Sequence, residues 1–296
     1  MLPTLRLESP GLAPLSFDHR DGWIVESFEL GHPEYAEVEE GATDADGTIN
    51  TTELIRARDV IVSGVLSEGT SQLWAMKDRL AAFQSPKRRV DLVVHEHPDA
   101  PVKVLRSCVG VQFPRGVVGR DWDSFQAVFR APFGILESAE LHEASAFPSG
   151  EGAELGRDYD LSFDRTYPTS PVLGSRTVVN AGTIDAYPVF RIFGPVGAAP
   201  GADPQGPDTT TIRNLTTGKN LVFEDLVVAA GDYCEVDTRR KTIRINGLPE
   251  QSRYDRLKFP DSRWWTLVPG ENELRFSPET SSGVAELRIL WRSAWI

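Results

Sequence analysis

The chain has 296 residues, 40% of them apolar, with 25 Gly, 21 Pro, two Cys and a formal net charge of −12. That length accommodates two domains with a sizeable core in each, and so much Gly and Pro suits short strands joined by turns better than long helices. The acidic balance excludes a general affinity for nucleic acid or anionic membrane, because counterion release requires clustered Lys and Arg.

The opening MLPTLRLESPG lacks a basic stretch followed by an apolar core, so no secretory signal is expected. No run approaches the roughly 20 apolar residues that cross a bilayer, and a soluble protein made in a reducing cytoplasm is expected. Residues 4–7 read as an edge-like segment and 22–30 as an alternating strand. The acidic stretch 37–47 reads as turn-like, and 57–66 as a strand with Val60 and Val62 on one face and Asp59 and Ile61 on the other. One helix follows over 71–84. Leu73, Met76, Leu80 and Phe83 recur at three and four residues and form a single stripe. Thr70 or Ser71 is placed to cap it, and Ser85-Pro86 stops it. Strands at 90–95 and 101–111 flank the turn His97-Pro98-Asp99-Ala100, and 123–130 alternates cleanly.

Residues 1–140 thus read as a first domain, 141–171 as a connector weakest at 148–152, and 172–296 as a second domain interrupted by an exposed Pro/Gly/Ala loop at 194–210. Cys108 and Cys234 fall in different domains and are expected as buried thiols rather than a disulfide. In the second domain, strands are expected at 221–223, 233–237, 242–245, 264–267, 273–276 and 285–291, with Asn246-Gly247 the strongest tight-turn signal. Many short antiparallel strands at this spacing define a β-sandwich.

Searching for chemistry finds no site. His95 and His97 share a strand face with Asp91, Glu96 and Asp99 nearby, but a third ligand at matching spacing is missing. Asp44-x-Asp46-Gly47 resembles the start of a calcium loop, yet Ile55 stands where the bidentate Glu is required. There is no Gly-x-Ser-x-Gly elbow, all five His lie at or before His142, and Gly150-x-Gly152-x-x-x-Gly156 has the wrong spacing for a dinucleotide. No catalytic residue, cofactor or metal is assigned. Two stretches remain as interaction candidates. Trp264 and Trp265 point to opposite faces if the segment is extended, one into the core and the other outward or onto a neighbour, where an indole would stack on a sugar or a partner. Lys87, Arg88 and Arg89 either form a solvated end that suits the helix dipole or meet the acidic stretch containing Glu37, Glu39 and Glu40 on another subunit.

The ordered set Asn214, Thr216, Thr217, Gly218, Ala230, Gly231, Asp232, Val236, Asp237, Thr238, Ile243, Asn246, Gly247, Trp264, Leu267, Pro269, Gly270, Asn272, Leu274 and Phe276 resembles the C-terminal domain of siphophage distal tail proteins. Upstream, Ala45-Asp46-Gly47-Thr48-Ile49 leading to Ala57-Arg58-Asp59-Val60 resembles the N-terminal domain of the same family, closest to minor tail proteins of phages of actinobacteria. The resemblance implies a mainly β protein: an N-terminal β-sandwich or split-barrel-like domain with one α-helix, and a C-terminal galectin-like antiparallel β-sandwich. It implies a structural protein rather than an enzyme. Six copies would close into a ring that joins the tail tube protein to the tail-associated hub protein, with the C-terminal domains facing outward toward side fibres or receptor-binding proteins. Its place would be the virion tail tip, assembled in the bacterial host cytoplasm, with no membrane and no sequence-specific nucleic acid. The 194–210 loop and the Pro-rich connector depart from the family pattern and leave the domain orientation open. The alternative is a carbohydrate-binding β-sandwich module that attaches a virion or surface complex to host glycan.

Overall fold

The computed structural model describes residues 3–41, 48–67, 70–112, 122–148, 175–197, 208–278 and 285–296, and of 35–41, 48–54, 70–71 and 111–112 it describes the backbone. Two units divide the chain: 1–140 with 294–296, and 141–293. No described helix is long and apolar enough to cross a membrane.

In the first unit the strands are β1 (Thr4–Glu8), β2 (Leu15–Ser16), β3 (Trp23–Leu30), β4 (Tyr35–Gly41), β5 (Thr48–Ile55) and β6 (Arg58–Ser67). Then come helix α1 (Thr70–Phe83), β7 (Val90–His95), β8 (Lys103–Gln112), β9 (Trp122–Ala131) and β10 (Leu136–Ser138). The main sheet runs β2-β1-β7-β8-β9-β6-β3, antiparallel throughout. Alternation decides which face is buried: Val60, Val62 and Leu66 of β6 and Phe125, Ala127 and Phe129 of β9 turn inward. The α1 stripe closes over them with Leu73, Leu80 and Phe83 buried and Met76 packed alongside. Each large side chain removed from water there contributes on the order of 1.5–3 kcal/mol before entropy is subtracted. Phe17, Trp23 and Phe125 form an edge-to-face and stacked triplet with centroids 5.3–5.8 Å apart. Lys77 of α1 reaches in to pair with the fully buried Asp123.

Residues 37–41, the described part of the acidic stretch read as a turn, belong to a strand. β4 pairs with β5 to make a two-stranded ribbon that joins no other strand among the described residues. Residues 42–47, including the Asp44-x-Asp46-Gly47 run, lie outside the described residues.

The second unit begins inside the stretch expected as a connector: β11 (His142–Ala146) is a strand there. It is followed by β12 (Ser175–Asn180), β13 (Val189–Phe193), β14 (Thr209–Asn214), β15 (Lys219–Glu224), β16 (Tyr233–Asp237), β17 (Thr242–Ile245), β18 (Gly270–Pro278) and β19 (Glu286–Trp291). Two antiparallel sheets result, β11-β19-β13-β16-β17 and β12-β18-β14-β15, each with one alternating face buried. Phe190, Phe223 and Phe276 are the largest fully buried side chains. The last strand, β20 (Ala294–Trp295), belongs to the first unit, where it pairs with β10 and packs Trp295 against that core. The second-domain boundary at 296 expected from sequence therefore differs by these final residues.

Loops of the second unit are stapled by buried Asn side chains. Asn272 Nδ2 donates to Val268 O (2.8 Å) and Gly270 O (3.1 Å), while its Oδ1 accepts from Val268 N (3.0 Å). Asn180 does the same for Ile184 O, Leu267 O and Gly182 N. Asn246 (φ 52°) and Gly247 (φ 70°) form the expected tight turn, closed by Leu248 N donating to Ile245 O. After it, residues 248–263 run as a strap between the two edge strands. Arg253 N donates to Ile243 O of β17, and Lys258 N and Arg263 N donate to Val222 O and Asn220 O of β15. Ser262 Oγ both accepts from Val222 N and donates to Val222 O. Residues 264–267, expected as a strand, join no ladder: their one β-bridge is Ala186↔Leu267, Asn180 Nδ2 and Thr266 Oγ1 add side-chain bonds to Leu267 O and Asp185 Oδ2, and Trp265 and Leu267 are buried.

Two substitutions test this architecture. A Cβ on Gly64 would stand 2.0 Å from Ile24 O, so Gly64→Ala is expected to destabilise the protein by about 1–3 kcal/mol through overpacking. Asn272→Ala leaves Val268 N–H and two carbonyls without their partner and is expected to lose about 1–3 kcal/mol. Chemical denaturation followed by tryptophan fluorescence reads both.

Candidate functional site

Residues singled out in the sequence are dispersed rather than gathered into one pocket. Lys87, Arg88 and Arg89 occupy the turn between α1 and β7, with Arg88 N donating to Ser85 O (3.0 Å). Ser9 Oγ donates to Arg89 O (2.9 Å), so the backbone of this basic corner is fixed while Lys87 and Arg89 are exposed. Glu37, Glu39 and Glu40 lie in β4, paired through the backbone with Glu53, Asn50 and Ile49; their side chains lie outside the described residues. Glu34, just before β4, is engaged within its own unit by Arg130 Nη2 at 3.0 Å.

The tryptophan pair does split. Trp265 is buried with its ring centroid 5.0 Å from Phe190, and Trp264 is half-buried, 6.3 Å from Tyr254 at an interplanar angle of 21°. Tyr254 in turn lies 6.4 Å from Phe259. Sequence reading missed Tyr254 and Phe259, because both sit in the irregular strap, where no periodicity marks them.

A second feature absent from the sequence reading is the outer face of the five-stranded sheet. Strand register places Ser145, Arg288, Arg191, Glu235 and Arg244 in one cross-strand row. Arg191 Nε donates to Glu235 Oε2 (3.0 Å), and Arg288 Nε lies 3.0 Å from Glu143 Oε1. The same guanidinium groups cover aromatic faces, Arg288 over Phe193 at 4.6 Å and Arg191 over Tyr233 at 5.2 Å. The carboxylates Glu143, Glu235 and Glu286 on this face each lie beside a guanidinium group.

His97 Nδ1 accepts from Asp99 N (3.2 Å), an interaction internal to its hairpin turn. Among the described residues no group of three or more His, Cys, Asp or Glu is arranged to hold a metal. Cys108 and Cys234 are free and buried, one in each unit. Burial pushes both thiols up to about 12; the nearby Asp91 charge adds to the rise at Cys108, whereas Arg253 opposes it at Cys234.

Most residues of the family pattern serve turns and core. Asn214 Oδ1 accepts from Thr217 N, Asp237 Oδ1 from Arg239 N and Arg240 N, and Thr238 Oγ1 donates to Pro188 O, while Leu274 and Phe276 are fully buried. These contacts define the class as a β-sandwich whose pattern residues hold turn and core geometry. Residues 198–295 match the siphovirus-type tail component, C-terminal domain. That match identifies residues 198–295 as a domain of the siphovirus-type tail component kind. The SPP1 Dit (gp 19.1) protein, described as a paradigm of the hub adsorption apparatus in phages infecting Gram-positive bacteria, shares the fold. Its TM-score is 0.61 at 13% identity over 99% of both chains. Chains from two phage P2 baseplate structures, in activated conformations with Ca and with Sr, align over 98% of both chains with TM-scores of 0.40 and 0.41 at 11% and 9% identity. No curated protein matches.

Thiol chemistry offers a check on the two cores. A raised folded-state pKa keeps each thiol protonated and closed to reagents at pH 8. Neither Cys108 nor Cys234 is expected to react with a disulfide reagent until denaturant is added, when both react. Since the unfolded thiols ionise near 9, stability is full below that pH and falls as pH rises from 9 toward 12.

Proposed function

We propose that the protein is the adaptor at the distal end of a siphophage tail. In this reading the first unit closes with five further copies into a ring between the tail tube protein and the tail-associated hub protein. The second unit projects outward, available to side fibres or receptor-binding proteins. Its work is geometric: a heterologous contact repeated by rotation closes a ring and leaves an axial channel. The observation that carries the reading is the match of 198–295 to the siphovirus tail component domain. Likeness of the whole chain to a hub-type fold supports it.

Two features of the first unit are suited to a neighbour. The β4–β5 ribbon has no further strand beside it among the described residues, and a two-stranded ribbon alone is marginal in water. A contact with an adjacent copy would supply the missing packing. The exposed corner of Lys87, Arg88 and Arg89 would meet Glu37, Glu39 and Glu40 across that contact, with modest energy and clear salt dependence. Assembly would take place in the host cytoplasm, and no catalysis is part of the role.

Light scattering at several concentrations, with negative-stain images of the same sample, tests the ring. Hollow six-fold particles are expected, alone or on mixing with the tube and hub proteins. A monomer in every mixture contradicts the reading. Reversing Lys87, Arg88 and Arg89 to Glu is expected to shift the assembly toward monomer without lowering the unfolding temperature. Unchanged assembly in that variant removes the charge contact from the account.

A further inference from the structure

The strap at 248–263 carries an aromatic ledge that the adaptor role does not use. Tyr254 and Phe259 are 42% and 57% exposed, and Trp264 lies half-buried beside them. Tyr254 stands between the other two, with centroids 6.3 Å from Trp264 and 6.4 Å from Phe259. A contiguous exposed apolar patch rimmed by polar residues marks an interaction surface, whereas singly scattered apolar residues are ordinary.

Three observations narrow the ligand. The ledge is preset, because the strap is hydrogen-bonded to both edge strands through Arg253, Lys258, Ser262 and Arg263, so little ordering entropy remains to be lost on binding. It is also small, hemmed by Asp255, Arg256, Lys258 and Asp261 in the same segment, all four of which are tied in local ion pairs with one another or with Glu224. A protein partner of ordinary size needs about 800 Å² on each side, whereas a few sugar rings need far less. Third, the surroundings are basic. Residues 239–263 hold eight Lys or Arg against three Asp or Glu, and with Asp237 and Glu224, which pair into the segment, an excess of three positive charges remains within a chain of net charge −12. The antiparallel bridge Arg244↔Ser252 lays β17 alongside the strap, which brings the exposed Arg240 and Lys241 turn toward Tyr254.

We propose that Tyr254, Phe259 and Trp264 form a binding ledge for an anionic oligosaccharide. The C–H faces of its sugar rings carry partial positive charge and lie on the negative ring faces. Its acidic groups meet the basic rim, where Arg240, Lys241 and Arg263 stand. Neutral sugars gain the stacking alone and bind more weakly. The inference is independent of ring formation.

The test is a printed panel of uronate- and phosphate-bearing oligosaccharides beside neutral ones of equal length, probed with the full chain and followed by solution titration of the best binder. Acidic members are expected to bind over neutral ones and to weaken when salt shortens the screening length. Tyr254→Ala combined with Phe259→Ala is expected to lose at least about tenfold in affinity. Because both rings are exposed, the unfolding temperature and the particle mass should stay unchanged. Lys241→Glu with Arg263→Glu is expected to abolish the preference for acidic sugars and leave the rings intact. No binding above neutral controls, or equal binding by the double-alanine variant, overturns the proposal. It is also overturned if that variant leaves the panel silent and instead loses a tail protein partner, which would make the ledge a protein contact.

Discussion

Closure of sheet edges is the constraint on which the rest of this structure depends. A chain built from short antiparallel strands ends every sheet in a row of unpaired N–H and C=O groups, which either find partners or template association. In the second unit one strap answers the problem for both sheets at once. Residues 248–263 leave β17 through the Asn246-Gly247 turn, bond back to Ile243, then cross to Val222 and Asn220 of β15. Ser262 completes the seam by accepting and donating to the same residue of β15. In the first unit the last two-residue strand adds to β10, which itself pairs with β8.

Function follows from what these closures leave over. The strap has to be irregular to bridge two sheets, and irregular backbone turns side chains outward without regard to alternation. That is how Tyr254 and Phe259 come to stand in solvent. The two-stranded ribbon β4–β5 is the opposite case, a pair of strands with no third beside it among the described residues. Asn214, Asp237 and Asn272 act on backbone groups of their own loops, and Thr238 ties its turn to the distant Pro188 carbonyl.

Legibility of the sequence followed the strength of local periodicity. The α1 stripe was plain because Leu73, Leu80 and Phe83 are buried at helical spacing, and β6, β9 and β16 were plain because their alternation is complete. β4 was hidden by Glu37, Glu39 and Glu40, residues that strands seldom favour, and its pairing with β5 is set by a partner rather than by its own pattern. β11 was hidden by Ala and Ser in a stretch that reads as linker, although its register against β19 is unbroken. Residues 264–267 misled in the other direction: Trp265 and Leu267 are apolar because they are core, not because they belong to a ladder. Neither the cross-strand row of Arg288, Arg191 and Arg244 nor the ledge of Tyr254, Phe259 and Trp264 has a sequence signature. Both exist only once register and strap geometry bring distant residues together.

Cryo-electron microscopy of the tail tip of virions that carry this chain tests the central claim most directly. The account predicts six copies around the tail axis between tube and hub, with the sheet of the first unit forming the ring and the two-sheet sandwich on the outside. Density for this chain confined to a peripheral fibre, or absent from the tail, would contradict it.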